Sequence, residues 1–104
     1  MSNTDLPVAC ALSTPELRER EQTVLAKMRE RVQEVRDLDS GYALRFAPEG
    51  AILADLATLI DLERQCCPFL RFELQVLPAN GPVWLELTGP EGTRDFLRTV
   101  LNLP

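Results

Sequence analysis

Hydrophobic positions recur with helical spacing in three segments of the chain and alternate with polar positions in four others. The first helix is predicted to begin with Thr14 as its N-cap and Pro15 at its first helical position. Its apolar stripe consists of Leu17, Val24, Leu25, Met28 and Val32. The charged residues between Arg18 and Glu30 are predicted to face solvent, because mixed signs at i,i+4 spacing are typical of an exposed helix surface.

Alternation of apolar and polar residues predicts four strands arranged as two hairpins. Residues 35–38 and 42–46 flank the turn at 39–41, and the second of these strands alternates more regularly. After Pro68, the segment 70–76 alternates along its whole length, and an Asn-Gly turn leads to a partner strand near 83–87. Each strand thus has one apolar face, which indicates a sheet covered on one side only.

Two further helices complete the pattern. One is predicted from about Ala51 to Cys66, with Leu53, Leu56, Ile60 and Glu63 on the face that leads to Cys67. The other follows the Gly-Pro-Glu-Gly turn at 89–92 and carries Phe96, Leu97, Val100 and Leu101. The order α-β-β-α-β-β-α predicts an α+β fold: a four-stranded, largely antiparallel sheet with helices on one face. We expect residues 1–104 to form a single domain, with 1–12 as an irregular segment that carries Cys10.

Composition narrows the function classes. The chain has 104 residues, a formal net charge of −5 and no histidine. No nucleic-acid partner is expected, because binding phosphates needs a basic surface. No apolar run approaches the roughly 20 residues of a membrane span, and the N-terminus lacks the pattern of a signal peptide, so we expect a cytoplasmic protein with no membrane partner. No nucleotide cofactor is expected either, since the glycine-rich turn at 89–92 lacks a P-loop lysine and dinucleotide spacing.

The candidate chemistry lies in the run 63–69, Glu-Arg-Gln-Cys-Cys-Pro-Phe. Pro68 disfavours the helical conformation in the residue before it, so the two thiols are predicted at an exposed helix end. Adjacent side chains on a helix cannot both face one core, so at least one of Cys66 and Cys67 is expected to point off the packing stripe. Without histidine, soft-metal or nucleophilic chemistry must depend on sulfur.

The leading hypothesis is that Cys66 and Cys67 bind a soft metal or metalloid ion, joined by Cys10 if the N-terminal segment folds back. Thiolates select thiophilic ions of the Hg, As or Cu type. Three sulfur ligands suit trigonal As(III) or Hg(II) better than structural zinc, which takes four ligands. Glu63 would supply a nearby carboxylate, as a ligand or as the acceptor of a thiol proton. Phe69 would form part of a hydrophobic wall.

Two other hypotheses stay open, and with them the question of whether the chain is an enzyme. In a thiol-dependent redox or transfer enzyme, one cysteine attacks and another resolves. A positive neighbour such as Arg64 would favour a reactive thiolate, whereas the partial negative charge at the C-terminal end of a helix would disfavour it. In a small interaction module, the chain would dimerise through a sheet edge or the face of Trp84. A homodimer is therefore a candidate assembly.

The motif Glu63-x-x-Cys66-Cys67-Pro68-Phe69-x-x-Phe72 resembles that of a group of small uncharacterised bacterial proteins, and the segment around Cys10 is similar to their N-terminal cysteine region. A shorter version of the Cys-Cys-Pro-Phe unit resembles the C-terminal segment of some MerR-type, metal-responsive regulators. The resemblance implies the handling of a metal or metalloid. Because no helix-turn-helix is predicted in this chain, the resemblance does not imply that the chain has the regulators' own function.

Overall fold

The computed structural model describes Val8 and residues 14–103 of the chain. Its elements are α1 (Pro15–Arg29), β1 (Val32–Leu38), β2 (Gly41–Phe46), α2 (Ile52–Cys66), β3 (Arg71–Val76), β4 (Val83–Thr88) and α3 (Thr93–Val100). The element order and the α+β class predicted from the sequence are confirmed. Apart from Val8, the predicted irregular segment 1–12 lies outside the described residues.

The four strands form one sheet in the order β1-β2-β4-β3, and every neighbouring pair is antiparallel. The central pair β2–β4 places Tyr42 opposite Leu87 and Leu44 opposite Leu85. These side chains are buried and belong to the same core cluster as residues of all three helices. The helices therefore cover one face of the sheet, while β1 and β3 form its two edges.

The buried stripe of helix α2 includes Leu56 and Glu63 of the predicted face. Its buried residues are Ile52, Leu56, Leu59, Leu62, Glu63 and Cys66. Leu53, which the sequence pattern placed on the same face as Leu56, is 43% exposed. The reason is the rotation of about 100° per helical residue, which turns Leu53 away once its neighbour Ile52 faces the core.

Helix α1 also departs from its predicted faces. Thr14 caps it as expected, since its Oγ1 accepts a hydrogen bond from the Leu17 amide at 3.3 Å. The buried face, however, contains Glu21 together with Leu25 and Met28, at spacings of four and three residues. The prediction that Glu21 faces solvent is wrong, because it shares the helix face that packs toward the core.

The opposite face of the sheet is partly covered by its own charged side chains. Trp84 is only 7% exposed, and the guanidinium of Arg36 stacks 4.2 Å from the centroid of its ring. Glu34 accepts from Arg36 at 3.1 Å and pairs with Arg45 at 3.6 Å. Trp84 therefore lies beneath an arginine of β1.

Among the described helices, none combines the length and the apolar character that crossing a bilayer requires.

Candidate metal centre

The last turn of α2 brings together the side chains of Glu63, Cys66 and Cys67. One carboxylate oxygen and the two sulfur atoms all lie within 4.8 Å of one another. The grouping follows from the spacing, because residues three and four positions apart share one face of a helix. Within the described part of the chain, this is the one group of three acidic or sulfur ligands with such a spacing.

Both cysteines are buried, which corrects the prediction of an exposed helix end. Cys66 is 3% exposed and Cys67 is 1% exposed. Cys67 is the C-cap residue, with φ −122° and ψ 72°, so it has left the helical conformation before Pro68 as predicted. Its side chain is therefore not bound to helical periodicity, and the two adjacent thiols join the same cluster with Phe69.

Glu63 is in direct contact with the second thiol. Cys67 Sγ lies 3.8 Å from Glu63 Oε1, a distance at which the thiol donates a hydrogen bond to the carboxylate. The Cys67 amide also donates to the Glu63 carbonyl at 2.6 Å, which closes the last turn of the helix. Glu63 is 6% exposed, so its carboxylate is buried beside the two thiols.

The arginines considered as partners of this site are engaged with other carboxylates. Arg64 is exposed and pairs with Asp61 at 3.3 Å. Arg71 pairs with Glu73 at 3.2 Å. The Glu63 carboxylate and the C-terminal end of α2, which carries a partial negative charge, both lie beside the thiols. Both favour a bound cation.

Aromatic side chains enclose one side of the cluster. Phe69 is 7% exposed and packs against both cysteines. Its ring meets that of Phe96 on α3 edge to face, with centroids 5.2 Å apart and planes at 85°. This contact joins the segment after α2 to α3 and excludes water from that side of the thiols.

A cavity of about 550 Å³ borders the thiols, and Phe96 forms part of its wall. It is lined by Arg18, Glu21, Gln22, Leu25, Arg29, Cys66, Cys67, Phe96 and Val100. The sequence reasoning missed the contribution of α1, because it assigned this charged segment to solvent. The spacing of Arg18, Gln22, Leu25 and Arg29, at i, i+4, i+7 and i+11, was the signal that these residues share a face.

The third predicted ligand, Cys10, lies outside the described residues. Val8, two positions before it, packs against the cluster formed by Cys66, Cys67 and Phe69. Val8 is the one residue before residue 14 that the structure describes, and it lies close to the thiols.

No protein-family model, no curated protein and no solved structure matches this chain. The functional argument therefore depends on the geometry and chemistry of the site itself.

Proposed function

We propose that this protein binds a soft metal or metalloid ion through the thiolates of Cys66 and Cys67, with Glu63 as a carboxylate ligand and Cys10 as a third thiolate. The observation that carries the proposal is the group of two sulfurs and one carboxylate oxygen within 4.8 Å of one another. Two sulfurs and a carboxylate oxygen held this close together form a donor set that a soft cation can bind.

The dimensions of the group suit a bound ion. Two sulfur atoms that share one ion at about 2.3 Å each are at most about 4.6 Å apart. Small side-chain rotations would therefore be enough to bring the sulfurs of Cys66 and Cys67 onto one ion. The ion would in turn supply the positive charge that stabilises two thiolates at the negative end of α2.

The donor set favours ions of low coordination number. Zinc in structural sites takes four ligands, so it would need Cys10 as well as Glu63, Cys66 and Cys67. Hg(II), As(III) and Cu(I) accept two or three ligands and prefer sulfur. The resemblance of the motif to metal-responsive regulators points to the same class of ions. A reducing cytoplasm, which we propose as the location, would keep the thiols available.

Cys10 is included among the ligands because it follows Val8, a residue that packs at the site, by only two positions. Val8 contacts the cluster, and two residues of extended chain span about 7 Å. A third thiolate from Cys10 would complete a trigonal sulfur site.

A titration of the reduced full-length chain with Hg(II), As(III), Cu(I) and Zn(II) tests the proposal. We expect saturable binding of one soft ion per chain. The binding is measured through the absorption band of sulfur-to-metal charge transfer. Cys66→Ser and Cys67→Ser should each lower the affinity strongly, whereas Cys10→Ser should weaken only ions that take three sulfurs. Non-saturable binding, or affinities unchanged in the Cys66→Ser/Cys67→Ser double variant, would refute it.

Self-association through the edge strand β3 is a second candidate function, favoured by the exposure of its apolar side chains. Leu74 is 39% exposed and Val76 is 58% exposed, although both lie on the face that the rest of the sheet buries. Antiparallel pairing of two β3 strands about a two-fold axis at Leu74 would place Phe72 opposite Val76 and Glu73 opposite Gln75. This register buries the apolar positions and opposes no like charges.

A further inference from the structure

We propose, on the basis of the function proposed above, that the ion held by Cys66 and Cys67 carries one apolar organic group, and that this group lies in the cavity between α1 and α3. The ligand class is a trivalent metalloid with a single aryl substituent, such as a monoaryl arsenic(III) compound. The proposal concerns what accompanies the ion, and it can fail while binding of the ion itself stands.

The size of the cavity is the first argument. A site for a bare ion needs only the space between its ligands, whereas the cavity beside these thiols measures about 550 Å³. That volume lies within the range of about 300–1,000 Å³ found for pockets that bind small molecules. Because Cys66 and Cys67 form part of its wall, a substituent on an ion bound to them has this space directly available.

The character of the walls is the second argument. Leu25 of α1 and Phe96 and Val100 of α3 supply an apolar surface next to the thiols. The α1 side also carries polar groups, from Arg18, Glu21, Gln22 and Arg29. Arg29 Nη1 donates to the Val100 carbonyl at 3.2 Å, which links the two helices across this region. An apolar ring that packs on Leu25, Phe96 and Val100 would gain free energy from the apolar surface it buries.

The number of available thiols is the third argument. A monoaryl arsenic(III) dihydroxide reacts with two thiols: two As–O bonds break, two As–S bonds form, and the two thiol protons leave with the hydroxides as water. Arsenic stays trivalent, so no oxidant or reductant is needed. Cys66 and Cys67 satisfy both exchangeable positions. Inorganic As(III) has three exchangeable positions, and its third would fall to Cys10.

The test compares phenylarsonous acid with arsenite on the reduced full-length chain, with dithiothreitol as the reference dithiol. In the Cys10→Ser variant both compounds have two protein thiols, as they have with dithiothreitol. In this variant we expect the ratio of affinities, phenyl over inorganic, to exceed the ratio for dithiothreitol by about tenfold or more, because only the protein buries the ring. Cys10→Ser should weaken arsenite binding and leave the binding of phenylarsonous acid unchanged.

A pair of neighbouring substitutions on α1 provides the matched control. Gln22→Trp should fill the cavity and remove the preference for the phenyl compound without changing arsenite binding. Thr23→Trp, at an exposed position that does not line the cavity, should leave both affinities unchanged. The cavity assignment is overturned if the Cys10→Ser protein has no greater phenyl preference than dithiothreitol, or if Gln22→Trp in that background keeps the preference. Failure of both compounds and of Hg(II) to bind would instead overturn the proposed function.

Discussion

Cys67 Sγ lies 3.8 Å from Glu63 Oε1, and both side chains are buried at the C-terminal end of α2. The contact is a direct consequence of the i,i+4 spacing and of the C-cap conformation of Cys67. It couples a proton donor to a proton acceptor at the place where an ion would bind. The carboxylate accepts the hydrogen bond of the thiol, and under the proposed function it would coordinate the ion once the thiol has lost its proton.

Replacing this carboxylate should weaken metal binding more than it weakens the fold. We expect Glu63→Gln to lower the affinity for Hg(II) or As(III) by about 10–100-fold, the usual loss when a group that supports the ligands of a metal is removed. Competition titration against a small dithiol measures the change. Glu73→Gln, at an exposed position of β3, is the control and should bind as tightly as the wild type. Equal affinities for both variants would exclude a role for Glu63.

Phe69 should protect the thiols from solvent. Phe69→Leu removes part of the ring that packs on both cysteines and on Phe96, so alkylation of Cys66 and Cys67 by iodoacetamide should become faster. The variant should lose about 1–2 kcal/mol of stability, because the smaller side chain leaves a void. Phe72→Leu, on β3, controls for destabilisation alone. If it accelerates labelling as much as Phe69→Leu does, the protection is global and not local.

The link between α3 and the first hairpin should be independent of pH across the neutral range. Arg94 donates to the Leu38 carbonyl at 2.9 Å and pairs with Asp37 at 3.0 Å. Its hydrogen bond to the Tyr42 hydroxyl is the main cause that raises the pKa of Arg94 above its ordinary value. Because the pKa is raised in the folded state, the protonated guanidinium contributes its full stabilisation at every pH below the pKa of the unfolded chain. This contribution is lost only as the pH rises past the pKa of the folded protein, and both pKa values are strongly alkaline.

Arg94→Gln should therefore lower the Tm by a similar few degrees at pH 6 and at pH 8, as measured by thermal unfolding. Arg98→Gln is the control, since Arg98 forms only a 3.7 Å pair with Asp95 and a 3.5 Å contact with Tyr42. A loss that differs strongly between the two pH values would contradict the assignment.

The two sheet edges should behave differently if β3 mediates self-association. Val76→Arg introduces a charge on β3 and should shift the protein from dimer to monomer in light scattering coupled to size exclusion. Val35→Arg places the same charge on the inward face of the other edge strand, β1, at a position 38% exposed, and should leave the dimer intact. A wild-type monomer at all accessible concentrations, or disruption by Val35→Arg alone, would rule out the β3 interface.

Local signals were sufficient to predict most of the fold. The cap at Thr14, the strand after Pro68 and the helix end at Cys67 each depend on neighbouring residues, and each was confirmed. The apolar side chains Leu74 and Val76 of that strand are nevertheless exposed, because β3 is an edge strand. Tertiary packing decided the rest. Glu21 is buried because α1 lies against the other helices, and Trp84 is covered because β1 brings Arg36 over it. The burial of Glu21 and the covering of Trp84 both depend on which elements pack together, and the sequence around each residue does not specify that packing.

The candidate site was partly predictable for the same reason. Glu63, Cys66 and Cys67 are neighbours on one helical turn, so their proximity follows from the sequence. The burial of both thiols depends on Phe69 folding back onto Phe96 of α3, which is a long-range contact. The cavity beside them requires α1 and α3 to be in place, and no local pattern specifies that arrangement.

X-ray absorption at the metal edge of the As(III)-loaded or Hg(II)-loaded protein tests the central claim most directly, because it identifies the atoms bound to the ion. We predict a first shell that contains sulfur from both Cys66 and Cys67, with fewer sulfur neighbours in each single serine variant and none from this pair in the double variant. A shell of oxygen and nitrogen alone, or a sulfur count that stays the same in the double variant, would contradict the assignment of this helix end as a metal centre.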